Sequence, residues 1–117
     1  YITIFKNQNK NVFNILIMSK FVSMTIRNSV QPKKRFMATF TKENGKTKKV
    51  NFGSKGANTY IDGADEKTKE NYLKRHKVRE NWDSFISPGA LSRWIIWGDS
   101  KNVNKNVVAF KKRFNLK

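Results

Sequence analysis

Residues 33–53 read KKRFMATFTKENGKTKKVNFG, and the fold turns on how this stretch pairs with itself. Phe36, Ala38 and Phe40 alternate with polar residues, as do Lys48, Val50 and Phe52 on the return. A period of two is the mark of a strand with one buried face. Asn44-Gly45 supplies the turn between the two runs. A two-residue loop would set Phe40 against Lys49 and Phe36 against Gly53, dividing the apolar residues between the faces. A three-residue loop, Glu43-Asn44-Gly45, sets Phe36 against Phe52 and Ala38 against Val50 on one face. A slip of one residue would turn a strand over, so the second register should prevail. It places Gly45 at positive φ in a bulge.

Downstream, residues 53–64 (GSKGANTYIDGA) form a loop rich in Gly, Asn and Ser. A helix is predicted over 66–81, with Asp65 as N-cap and Glu66 in its first turn. Tyr72, Leu73 and His76 share one face of it. Ser87-Pro88 opens a second helix over 88–97, so apolar that it should be buried, with Gly98 as its stop. A third helix over 101–115 carries the stripe Val103, Val107, Phe110 and Phe114. The predicted class is α+β: a hairpin over 33–53 packed on three helices, since a hairpin alone is unstable.

Upstream, the sequence has a different character. Residues 1–17 (YITIFKNQNKNVFNILI) are dominated by Ile, Asn, Lys and Phe, and Met18 and Met24 both fit as starts. Residues 1–31 are expected to be an upstream extension or flexible leader outside the fold, with a single domain over 32–117. A presequence reading stands beside it, since residues 1–42 contain no acid; Arg and Ser are sparse there, and the apolar stretch is broken by Asn14 and Lys20.

The chain has 117 residues, no Cys, one His, and 25 Lys+Arg against 8 Asp+Glu, a net charge of +17. One domain of ordinary size fits this length. Disulfides, thiol catalysis, Cys-type zinc sites and multi-His metal sites within one chain are excluded. No run of 18 apolar residues suggests a membrane-spanning helix. The 15 aromatic residues are too many for a disordered basic tail. Four basic residues precede Pro32, which leaves 21 against 8 acids in residues 32–117, a net +13. Such charge opposes compaction, and phosphate backbones are its commonest partner. Lys outnumbers Arg 19 to 6, and Lys is a point charge without Arg's fork. Backbone contact with little sequence readout is therefore expected.

The densest basic run, Lys74-Arg75-His76-Lys77-Val78-Arg79, lies within the first predicted helix. It reads equally as a phosphate-facing surface or as a solvated face partly neutralised by Glu70 and Glu80. His76 reads as a packed residue rather than a catalyst, because no partner is placed by spacing. Gly53-Ser54-Lys55-Gly56 could offer N–H groups to a phosphate, but it lacks the P-loop ending and reads as a turn. Trp94 and Trp97 read as core; Trp82 is better placed for a surface than they are, yet it too reads as core first. Asp62, Asp65 and Glu66 read as helix capping, not as a metal site.

Several strings together resemble a family of short basic proteins of large DNA viruses, itself of unknown function. They are Phe52-Gly53-x-x-Gly56 with Tyr60, and Tyr72-Leu73-x-Arg75-His76-x-x-Arg79-Glu80-Asn81-Trp82. Pro88-Gly89-x-Leu91-Ser92-Arg93-Trp94-x-x-Trp97 and Lys112-Arg113-Phe114-Asn115 complete the set. The resemblance spans about residues 35–116. It implies a complete domain in 32–117 and an intracellular viral or virion setting, and brings no activity or catalytic residue.

The expectation is a non-enzymatic protein that binds nucleic acid, DNA or RNA, through phosphates, in genome packaging or as an accessory factor. The expected contacts are Lys33, Lys34, Arg35, Lys48, Lys49 and Lys55 near the hairpin, and Lys74, Arg75, Lys77 and Arg79 on the first helix. Lys111, Lys112 and Arg113 form a further patch on the third helix. No catalytic residue, metal, cofactor or small-molecule substrate is expected. One alternative is a structural virion protein whose basic surface meets acidic viral proteins. Another is a small nuclease using His76 and Glu80.

Overall fold

The computed structural model describes residues 20–117. Three antiparallel strands, β1 (Phe21–Asn28), β2 (Lys34–Lys42) and β3 (Thr47–Ser54), form a sheet in that order. Three helical segments follow: α1 (Glu66–Lys77), α2 and α3 (Val103–Arg113). α2 is α-helical over Pro88–Leu91 and π-helical over Ser92–Ile96. The class is α+β, as the sequence implies.

The β2–β3 pairing follows the register that keeps the apolar residues together. Phe36 faces Phe52, and Ala38 faces Val50. Gly45 sits at φ 88°, and its N–H bonds the Lys42 carbonyl at 2.9 Å. The Asn44 side chain accepts from the Lys46 N–H at 3.0 Å, which closes the loop.

The sheet extends further upstream than the hairpin. Residues 21–28, placed outside the fold by the sequence reading, form β1 and pair with β2 through Met24↔Phe40 and Ile26↔Ala38. Met24 is 1% exposed. The reason is the same period of two: Met24 and Ile26 join the buried face, while Ser23, Thr25 and Arg27 take the other. The rest of the supposed leader, residues 1–19, lies outside the described residues.

Phe40, Phe52, Leu91, Ile95, Ile96 and Phe110 are fully buried between the sheet and α2 and α3. Phe85, in the loop before α2, lies edge-on to Phe21 and Phe40 and stacks on Phe114. α1 ends at Lys77, four residues short of the predicted end. Val78, just beyond it, is exposed, and nothing apolar rewards another turn. The helix closes with a tighter turn instead, the Arg79 N–H bonding the His76 carbonyl at 3.0 Å. α2 widens into π form, with Trp97 N–H bonding the Ser92 carbonyl at 2.9 Å. Gly98 ends it through close approach: a Cβ there would lie 2.4 Å from the Trp94 carbonyl oxygen and 2.6 Å from Asn106 Cγ.

α3 starts at an Asn102 cap, whose side chain accepts from the Lys105 N–H. It stops where Asn115 adopts φ 56°. There the Leu116 N–H reaches the Lys111 carbonyl at 2.8 Å, as in a Schellman ending. Lys117 then bonds Val22 and Met24 on the free edge of β1, so the two ends of the described chain meet. β3 is the other edge, and its Lys48 and Lys49 guard it against further pairing.

Candidate nucleic-acid interface

The cleft that draws the basic segments together starts at the end of the β2–β3 ladder. Lys34 pairs with Ser54 there. The Lys55 N–H bonds the Lys33 carbonyl at 3.2 Å, which keeps Lys33, Lys34 and Lys55 adjacent. Gly53, inside β3 at φ 79°, leaves room for the Ile96 side chain; a Cβ there would lie 2.6 Å from Ile96 Cδ1. Arg35 next door is held by Asp62, at 2.6 and 2.7 Å through both guanidinium nitrogens. This bond holds the Asp62 carboxyl well below the usual range, against some opposing desolvation, with Thr59 adding two more hydrogen bonds.

α1 supplies the opposite wall. The Asp65 side chain caps it at the Thr68 N–H, 2.8 Å away. Its last turn then carries Lys74, Arg75, His76 and Lys77, the sign that the C-terminal end of a helix dipole favours. Tyr72 and His76, one turn apart, stack with ring centroids 4.0 Å apart. The other neighbour of Tyr72 is Trp97 of the α2 end, 4.3 Å away and within 11° of parallel. Burial, with the nearby Glu80 charge, pushes the Tyr72 phenol up to about 12.

Glu80 closes this wall. Oε2 meets His76 Nδ1 at 2.9 Å, and Oε1 accepts from Trp82 Nε1 at 2.9 Å. Partial burial alone would raise the Glu80 carboxyl; the two hydrogen bonds outweigh it and hold the group below its ordinary value. An ionised carboxylate can only accept, so His76 Nδ1 carries the proton in that contact. Nε2 then has no hydrogen-bond partner among the described residues.

Between these walls lies an open cleft of about 430 Å³, lined by Lys34, Gly53 and Ser54 from the strands and by Tyr72, Arg75 and His76 from α1. Ala57 and Thr59 of the loop after β3, Glu80, the α2 residues Pro88, Gly89, Ser92 and Ile96, and Trp97 just beyond them complete the lining.

The other predicted contacts lie elsewhere. Lys48 and Lys49 sit on the β3 edge, Lys48 about 16 Å along the strand from Gly53. Lys74, Lys77 and Arg79 are exposed at the end of α1. Lys111 lines a separate groove with Ile26, Phe36, Val103 and Val107. Lys112 is exposed, and the Arg113 guanidinium lies 3.7 Å from the Trp94 ring centroid. Of the thirteen predicted contacts, Arg35 alone is in an ion pair among the described residues.

Trp82, which the sequence reads as core ahead of surface, is half-buried: its Nε1–H donates to Glu80, and the Arg93 guanidinium lies 5.2 Å from its ring. The sequence reading does not place Tyr72 or Trp97 in a binding cleft. The i, i+4 spacing of Tyr72 and His76 was the one local signal; Trp97 arrives from another element.

Residues 24–76 match a family described only as a family of unknown function, DUF5754. The match runs from inside β1 to His76, so it takes in the whole hairpin and nearly all of α1. No curated protein and no solved structure matches the chain. No helix among the described residues is long and apolar enough to cross a membrane.

Proposed function

We propose that this protein binds nucleic acid through Lys and Arg contacts to the phosphate backbone, with little sequence preference and no chemistry of its own. One observation carries the reading. Lys34 and Arg75, far apart in sequence, line one cleft, with Lys33 and Lys55 adjacent to Lys34 and no acid paired to any of the four among the described residues. Unpaired cations converging on a concave surface favour a polyanion. DNA and RNA share this chemistry. A viral, intracellular setting, in packaging or as an accessory factor, rests on the sequence resemblance.

Charge removal tests the reading. Lys34→Ala with Arg75→Ala should weaken binding to any strand and reduce the salt dependence by about one phosphate contact per residue removed. An unchanged salt dependence would move the contact surface away from the cleft. The rival role, docking on acidic viral proteins, called for an exposed apolar patch. Val30, Val78 and Val108 are exposed on three separate segments, and single apolar residues need no partner.

The 2.9 Å contact of His76 with Glu80 favours a second reading, phosphodiester cleavage with His76 as base. Labelled RNA and DNA incubated with the protein, with and without Mg²⁺, decide it. Cleavage that disappears in His76→Ala would establish it, and intact strands would leave binding alone.

A further inference from the structure

We infer that the cleft seats one unpaired nucleotide, its base stacked on the His76 ring and its phosphate held by Lys34 and Arg75. The inference rests on the nucleic-acid reading above and names the kind of strand that fits. Trp97, Tyr72 and His76 form a three-ring stack. Trp97 is buried, whereas His76 keeps 30% of its side chain exposed and borders the cleft. Tyr72 is the one ring stacked on His76 among the described residues. The stack therefore ends at a partly open ring, and a planar base continues it.

The platform is held in place beforehand. Glu80 fixes the imidazole through Nδ1, and Trp82 fixes Glu80. Little ordering is left for a ligand to impose. Both carboxylate oxygens of Glu80 are occupied by these donors, while Nε2 of His76 is without a partner among the described residues and can meet a polar base edge. Ser54 and Ser92 add hydroxyls to the lining, and Ile96 an apolar floor.

Size selects the strand. About 430 Å³ is a small-ligand cleft. Bases within a duplex are stacked on both faces and cannot enter it, whereas an unpaired base at an end, a loop or a single strand can. Stacking on a side chain is tolerant of sequence, in keeping with a protein that does not read bases.

The test uses the full chain at one low salt concentration. Three labelled probes are compared: a mixed-sequence 12-mer single strand, the blunt duplex of the same sequence, and that duplex with a four-nucleotide overhang. Single strand and overhang should bind about tenfold tighter than the blunt duplex. His76→Ala should erase that difference. His76→Phe, which keeps a ring but loses the bond to Glu80, should retain it. Equal affinity for all three probes, or a preference that survives His76→Ala, would overturn the inference while leaving phosphate binding intact. A preference lost equally in His76→Phe would assign it to the His76–Glu80 bond and overturn the stacking role. No binding to any probe would overturn the inference and the proposed function together.

Discussion

Asp62 accepts four hydrogen bonds, two from Arg35 and two from Thr59, and so ties the start of β2 to the turn before α1. Its carboxyl is depressed when folded, so its stabilising contribution is complete above the unfolded value near pH 4 and fades as pH falls below it. Thermal unfolding followed from pH 7 to pH 3 should show a steeper loss in the native chain than in Asp62→Asn. At pH 7 the variant should be less stable by about 1 kcal/mol, because the pair is partly solvated. Tyr72 runs the other way. Its phenol, pushed up to about 12 chiefly by burial, keeps its proton while an unfolded tyrosine ionises near pH 10, so stability drains away between those values. Absorbance titration should show a late phenolate component near pH 12 that is missing in Tyr72→Phe. Neither tie was legible in the sequence. Asp62 reads there as one of three acids before a helix, and nothing local says that Arg35, 27 positions earlier, returns to it.

Elements were legible where a local rule has no competitor. The β2–β3 register follows from keeping four apolar residues on one face, and Gly45 then has to adopt positive φ. The caps at Asp65 and Ser87 follow in the same way. β1 was equally periodic from Val22 to Arg27, but a change in composition at Pro32 was read as a boundary, and composition says nothing about which face a side chain takes. α1 ends early where exposed Val78 leaves another turn with nothing to bury, which depends on the surrounding packing and not on local propensity. The end of the π turn in α2 meets Asn106 of α3, a partner eleven residues away from Ile95 that local pattern does not point to. The buried Asn106 amide donates to the Ile95 and Ser100 carbonyls at 2.8 and 2.7 Å and accepts from the Ser100 N–H at 3.0 Å. Asn106→Ala leaves those backbone groups unpaired in the core and should destabilise the fold by about 2–4 kcal/mol. Chemical denaturation should show a lower midpoint with an unchanged slope.

At the scale of the molecule, charge was fully legible and its placement was not. The +17 is a count, but the cleft joins residues 34, 53–54, 72–80 and 88–97, which only packing brings together. The sheet, α1 and α2 each give one wall, and α3 braces α2 from behind through Asn106. The same packing leaves Lys48 and Lys49 on a sheet edge and Lys111 in a separate groove, so the thirteen predicted contacts do not form one continuous face. If the charge serves phosphate binding, it acts through counterion release, which has a quantitative signature. The most direct measurement is the affinity of the full chain for a labelled nucleic acid across a salt series. The account predicts a straight fall of log affinity against log salt, with a slope of about −3 or steeper, nearly the same for unrelated sequences. Failure to bind either single or double strands at low salt, or binding indifferent to salt, would contradict it.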